Sequence, residues 1–180
     1  MRIIGGKYRG KKLYSPEGDM VRPTSDKTRE AMFNILRSRK GCDFSGLNLL
    51  DVFCGSGAFS LEAVSQGFGF VTSVDVDIRN IQKNVKLFEA EKNKIKLIQT
   101  DVLRLNIKDN KYDVLFMDAP YNKGLTEPAL EKAALCLRQG ALCLIEVHKE
   151  EKCNLPNGYV QIDERKYGLA KIIIAVFEGM

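Results

Sequence analysis

Residues 112–121, "YDVLFMDAPY", join an apolar run to three groups that can do chemistry. A buried strand there ends by presenting Asp118, Pro120 and Tyr121 together. The carboxylate can accept a proton or an N–H, and the aromatic face can hold a flat ring. Three other apolar runs end the same way. "LNLLDVF" carries Asp51 and leads into the glycine turn "CGSG", "FVTSVDV" carries Asp75, and "IKLIQT" is followed by Asp101. Gly55 and Gly57 allow a tight strand-to-helix turn whose backbone a ligand can approach closely. The helix behind that turn begins with N–H groups that have no partner in the helix. Asp75 lies 24 residues after Asp51, where an acid can accept both hydroxyls of a ribose.

The same features fit a nicotinamide dinucleotide poorly. Its GxGxxG fingerprint needs a third glycine for close helix packing, and "GSGAFS" has Ser60 there. Any one of the acids also fits a capped turn, as do Asp118 and Pro120 together. Four successive strand ends carrying an acid argue for a shared site.

The elements that must position these residues alternate. Apolar runs at 47–53, 70–76, 95–100, 112–118 and 141–147 read as strands. Helical patterns occupy 58–66, 78–91 and 125–138, with Gly67 and Gly140 as stops. Strand–helix alternation implies right-handed crossovers and a parallel sheet covered on both faces. Two further strands, "YVQIDERKY" and "KIIIAVFE", have no helix between them and predict a hairpin, so one strand runs antiparallel to the rest. The fold class is therefore α/β and Rossmann-like. Upstream, Thr24 or Ser25 can cap a helix over "DKTREAMFNILRS" with Ala31, Met32, Ile35 and Leu36 as its apolar stripe, leaving Lys27 and Arg29 off it. Residues 2–14 predict one or two short strands outside the main core.

Composition narrows the partners. The 180 residues are 44% hydrophobic and 28% charged, enough for one well-filled domain. No apolar stretch reaches the roughly 20 residues that cross a bilayer, and the basic start lacks a signal-like apolar region, so a cytosolic protein is expected. The five cysteines form no CxxC pair and predict buried thiols rather than a metal site. Residues 1–40 hold eleven Lys/Arg against four acids, a charge of +7 on a chain whose net charge is +5. A basic arm on a near-neutral body suggests a polyanion. Arg2, Lys7, Arg9, Lys11, Lys12 and Arg22 can track phosphates, with Tyr8 and Tyr14 interleaved as either stacking or core residues.

"DVFCGSGAFSLEAVSQG", "VDVD" and "DAPYNKG" on this strand pattern resemble a class I S-adenosylmethionine-dependent methyltransferase. "RPTSDKTREAMFNIL" and "LIEVHKE" resemble the RsmD family, which methylates the exocyclic amine (N2) of a guanine in small-subunit ribosomal RNA. The resemblance spans nearly the whole chain. It implies a mostly parallel seven-stranded sheet with one antiparallel strand, a basic β extension over 1–24 and a catalytic domain over 25–180. S-adenosylmethionine would be the cofactor, with no metal, and ribosomal RNA or the small-subunit particle the partner. Asp51, Phe53, Gly55 and Gly57 would border the methionine and ribose, Asp75 would take the ribose hydroxyls, and Asp101 with the Val102 backbone would meet the adenine. Asp118, Ala119, Pro120 and Tyr121 would occupy the family's D/N-P-P-Y/F motif, from which Ala119 departs and loosens the loop. Arg22, Thr24, Lys27 and Arg29 would border the pocket entrance, and Glu146 the substrate side. Two other readings keep the same residues: an amino-methyltransferase for adenine or a protein amide, and a non-catalytic RNA-binding assembly factor.

Overall fold

A computed structural model describes residues 1–15, 25–107 and 111–179. Seven strands form one sheet: β1 (Asn48–Val52), β2 (Phe70–Asp75), β3 (Ile95–Gln99), β4 (Tyr112–Asp118), β5 (Leu137–His148), β6 (Tyr159–Tyr167) and β7 (Ala170–Phe177). Their order is β3-β2-β1-β4-β5-β7-β6, with β7 antiparallel to both neighbours and the other pairings parallel. The expected Rossmann-like sheet with one antiparallel strand is therefore present. Chain order reverses between β1 and β4, which is where an open parallel sheet leaves a crevice beyond its carboxyl ends.

Both faces are apolar because alternate residues of each central strand go to opposite sides. Leu49, Val114, Phe116, Leu142, Leu144, Ile172 and Ile174 meet Met32, Phe33 and Leu36 of helix α1 (Asp26–Lys40) and Phe59 and Ala63 of α2 (Ala58–Ser65). Leu50, Leu115, Met117, Cys143, Ile145 and Ile173 face Ala129, Leu130 and Ala133 of α4 (Thr126–Ala134). Helix α3 (Arg79–Val85) covers Cys54 and Leu97 through Ile78 and Ile81. No helix among the described residues is long and apolar enough to cross a membrane.

Three sequence expectations need correction. The helix expected over 78–91 is α only to Val85 and continues as a 3-10 segment, Lys86–Lys94, kinked at Phe88. Gly140 does not stop a helix. The helix ends at Ala134, and Gly140 lies inside β5 at φ 82°, where the β4–β5 register slips between Tyr112 and Val114. Arg29 does not leave the buried face of α1, which comprises Thr28, Arg29, Met32, Phe33 and Leu36.

That last correction explains how the N-terminal segment is held. Ser25 caps α1 by accepting from Thr28 N–H at 3.1 Å. One turn in, the Arg29 guanidinium donates to the Arg2 carbonyl at 2.6 Å and to Asp26 at 2.9 Å. Its Nε lies 3.7 Å from Glu62 Oε2, an ion pair between two fully buried side chains. Glu62 in turn accepts from Ile4 N–H at 2.7 Å, Gly5 N–H at 2.8 Å and Gln66 Nε2 at 2.7 Å. The segment has a single β-bridge, Arg2 with Lys12, and it is packed rather than loose: Ile3 and Leu13 are buried against Ala58, Leu61 and Phe88. Removing one partner of a buried ion pair leaves the other charge uncompensated, which costs about 3–5 kcal/mol. Glu62→Ala is expected to destabilise the protein by about that amount, read from the midpoint of urea unfolding at unchanged slope.

Candidate active site

Strand register sets the site. Val52 pairs with Val74 on one side and with Met117 on the other, so Phe53, Asp75 and Asp118 follow in one row. The row extends to Glu146, the register partner of Asp118 on β5, and to Gln99, the partner of Asp75 on β3. Adjacent strands are about 4.8 Å apart, so the row is a short ledge along the carboxyl edge, spanning the point where strand order reverses.

The chain leaves β1 by a turn that only particular backbones permit. Phe53, Gly55 and Gly57 have φ of 62°, 52° and 76°. At Gly57 a Cβ would lie 2.4 Å from Ile81 Cγ1, so this glycine lets α2 and α3 approach. At Gly55 a Cβ would meet nothing within 4 Å, so the backbone there is bare toward the crevice. Asp75 fixes the turn. Its Oδ2 accepts from Gly55 N–H at 2.8 Å and its Oδ1 from Asp77 N–H at 3.1 Å. Asp77 is held down to about 2, chiefly by hydrogen bonds from Arg79.

Asp51 sits two rows deeper, opposite Ser73 and Phe116, and is fully buried. It is not at the crevice surface. Its Oδ2 accepts from Ser60 Oγ, which also contacts Ser73 Oγ at 2.6 Å, while its Oδ1 has no hydrogen-bond partner among the described residues. Burial pushes this carboxyl up to about 7, against the lowering effect of the Ser60 hydrogen bond. Ser60, which stands where a dinucleotide fold has its third glycine, is therefore the support of Asp51. Beyond β3, Asp101 is exposed and caps the 3-10 turn Val102–Arg104 by accepting from Leu103 N–H at 3.0 Å, and the Val102 side chain is buried in the core.

At the end of β4, Asp118 is half-buried, Ala119 buried and Pro120 exposed. The Tyr121 hydroxyl donates to Glu146 Oε1 at 2.8 Å, and its ring meets His148 edge-on at 5.7 Å. Glu146 is 4% exposed, so the phenol is anchored on a carboxylate beneath it. Among the described residues no group of three or more His, Cys, Asp and Glu is placed to hold a metal ion.

The basic residues separate into different roles. Lys7 pairs with Glu91 at 2.6 Å, and Lys11 donates to the Leu87 carbonyl at 2.8 Å while lying over the Tyr8 and Phe88 rings. Arg2 is exposed and 3.5 Å from Asp26. Arg9 and Lys12 are exposed, as is Lys27 on α1. Arg29 is buried and faces no entrance. Arg22 and Thr24 lie outside the described residues. Two residues that shape the site carried weak sequence signals. Glu62 is a lone acid in the apolar helix "AFSLEAV", and Asn84 is a buried amide in α3 whose Nδ2 donates to the Ser56 carbonyl at 2.9 Å.

A family model described as "Conserved hypothetical protein 95" matches residues 1–176. Ribosomal RNA small subunit methyltransferase D of Haemophilus influenzae is 28% identical over 179 residues, covering 94% of this chain and 90% of the relative. The protein of the same name from Escherichia coli is 33% identical over 132 residues, 72% of this chain and 65% of the relative. The chain belongs to the RsmD family of methyltransferases. Among solved structures, the Escherichia coli protein yhhF superposes with a TM-score of 0.83 at 28% identity, covering 100% of this chain and 99% of that one.

For this RsmD-family chain the deep acid of the glycine turn gives a pH signature. A carboxyl held near 7 in the folded state and near 3.8 when unfolded binds more protons folded than unfolded between those values. Stability from Asp51 is thus full below the lower value and lost as pH rises through the upper one. Asp51→Asn is expected to flatten the fall in unfolding free energy between those two pH values, measured by urea titration across that range.

Proposed function

We propose that the chain transfers a methyl group from S-adenosylmethionine to the exocyclic N2 amine of a guanine in small-subunit ribosomal RNA, free or in the particle. The observation that carries this reading is the ledge. Asp75 stands on one side of a bare glycine turn and Asp118 on the other, with an anchored tyrosine beside it.

The residues fit the cofactor. Gly55 offers uncovered backbone at the crevice, and the Asp75 carboxylate keeps lone pairs beyond the two N–H groups it accepts, enough for two ribose hydroxyls. Asp101 is exposed at the far end, where an adenine amine would reach it. The bound cofactor supplies a sulfonium methyl, electrophilic enough that no covalent enzyme intermediate is needed.

The acceptor is the harder half. An amine on an aromatic base shares its lone pair with the ring and is a poor nucleophile. Asp118 accepts one N–H and the main-chain carbonyl of Ala119 the other, which favours a pyramidal nitrogen with its lone pair aimed at the methyl. Methylation makes the nitrogen strongly acidic, and Asp118 or water takes the proton. Orientation of this kind is worth about 7–11 kcal/mol, and the two fixed acceptors add electrostatic stabilisation. Tyr121 gives the base a face to stack on, worth about 1–3 kcal/mol. Glu146 and His148 fix that face from below and from the edge. A stacked base cannot enter such a pocket, so the target must be looped out or extruded.

Two experiments test this. Labelled cofactor offered to naked ribosomal RNA, small-subunit particles and DNA should mark one guanine at N2 in ribosomal RNA. Asp118→Ala should abolish that transfer while cofactor affinity, measured by calorimetry, stays within a few-fold of wild type, and wild-type turnover would refute the role. Because Ile3 and Leu13 are packed, the arm is better tested by charge than by truncation. Arg9→Glu with Lys12→Glu should weaken RNA binding and make the slope of log K against log salt shallower by about 0.7–0.9 per lost phosphate contact.

A further inference from the structure

The two tyrosines of the basic arm have opposite fates. Tyr8 is half-buried, its ring edge-on to Phe88 at 4.8 Å, with Lys7 and Lys11 over its face. Tyr14 is 58% exposed, the one aromatic among the large exposed apolar side chains of the described residues. Its backbone, however, is fastened at both ends. Tyr14 N–H donates to Asn84 Oδ1 at 2.8 Å, and the Tyr14 carbonyl accepts from Asn84 Nδ2 at 3.0 Å. The same Nδ2 donates to the Ser56 carbonyl inside the glycine turn. Asn84 is fully buried and spends its amide on these three backbone groups. A ring is therefore left in water on a fixed main chain, one side chain away from the cofactor turn and two residues beyond the exposed Lys12.

We propose that Tyr14 is a stacking platform for an unpaired nucleobase neighbouring the target nucleotide. This rests on the RNA methyltransferase reading above and adds a contact to it. Stacking needs a flat face and tolerates any base, so it grips a single strand without reading sequence. Fixing the backbone in advance removes part of the ordering cost of binding, which is the physical gain from the Asn84 clamp. The cations on the same arm supply the phosphate contacts that a strand lying across Tyr14 would need.

The chain has no tryptophan, so Tyr14→Trp places a single fluorophore at the proposed contact. Wild type, Tyr14→Ala and Tyr14→Trp are titrated with short single-stranded RNA at several salt concentrations, and with small-subunit particles. Tyr14→Ala should bind the RNA about tenfold more weakly, within the range of one lost stacked base, with an unchanged salt slope and unchanged cofactor affinity. Tyr14→Trp should bind as wild type, with emission quenched as RNA saturates. Equal binding by Tyr14→Ala, or unchanged tryptophan emission at saturation, would overturn the inference. A defect confined to particles would overturn it too, by making Tyr14 a protein contact. If wild type methylates RNA and Tyr14→Ala binds equally well, only this inference falls. If wild type neither binds nor methylates RNA, the functional reading falls with it.

Discussion

The hydrogen bond from Gly55 N–H to the Asp75 carboxylate is the tie on which the crevice depends. β1 ends in a turn with three residues at positive φ, one of them phenylalanine. Such a turn exposes N–H groups that neither strand nor helix can satisfy, and a buried orphan costs about 1–3 kcal/mol. The neighbouring strand supplies acceptors where it reaches the turn: the Val74 carbonyl for Cys54 N–H and the Asp75 carboxylate for Gly55 N–H. Ile81 then closes over Gly57, bringing α3 against the start of α2. Asn84, one turn further along α3, holds the turn from the other side through Ser56. The acid proposed to receive the ribose is thus the acid that shapes the turn beside it. Its geometry is set before any ligand arrives, which is what preorganisation requires.

A second constraint joins the N-terminal segment to this frame. Glu62 lies in α2, the helix that begins at the glycine turn, and it is surrounded by donors: two backbone N–H groups of the arm, an amide and a guanidinium. A carboxylate in a buried site is tolerable only with such a full set. Arg29 completes the clasp by donating to the Arg2 carbonyl. The arm is therefore both charged and fixed. Lys7 and Lys11 serve as its attachments to the 3-10 segment, and Arg9 and Lys12 remain exposed. A charge count along the chain cannot make that division, because an ion pair and a hydrogen bond with residues more than 70 positions away decide it.

The sheet was legible because its central strands are short, largely apolar runs separated by helical patterns, and the glycine turn because backbone conformation restricts residue type so strongly there. The acids at Asp75 and Asp118 were legible for the same reason: a strand end is a fixed place in a parallel sheet. Asp51 looked equivalent in the sequence and is not. Two residues of register put it two rows deeper, where burial pushes its carboxyl up. Arg29 was misplaced because an arginine reads as surface, whereas Asp26, the Arg2 carbonyl and Glu62, 33 residues on, give its buried guanidinium partners. Tyr8 and Tyr14 could not be told apart without knowing that Phe88 lies beneath one and Asn84 beneath the other. Beyond α3, which ends at Val85, the 3-10 segment kinks at Phe88, whose buried ring sits on a backbone φ of −121°.

Ala119 is where the chain departs from the D/N-P-P-Y/F motif that the resemblance implies, and the geometry around it bears on how the loop is held. A proline at this position would restrict the backbone of Asp118 and remove an N–H. Pro120 already disfavours the helical region for residue 119, which biases it towards an extended backbone without a ring of its own. Downstream, Glu146 receives the Tyr121 hydroxyl, and Glu151 receives the Asn122 N–H at 3.1 Å, at a residue whose φ is 57°. Both acceptors come from β5 and the turn that follows it, and neither contact involves residue 119. The Ala119 side chain is itself buried, so a swing of the loop would have to expose it. The Tyr121 and Asn122 contacts thus tie the residues after Pro120 to the adjacent strand and its turn.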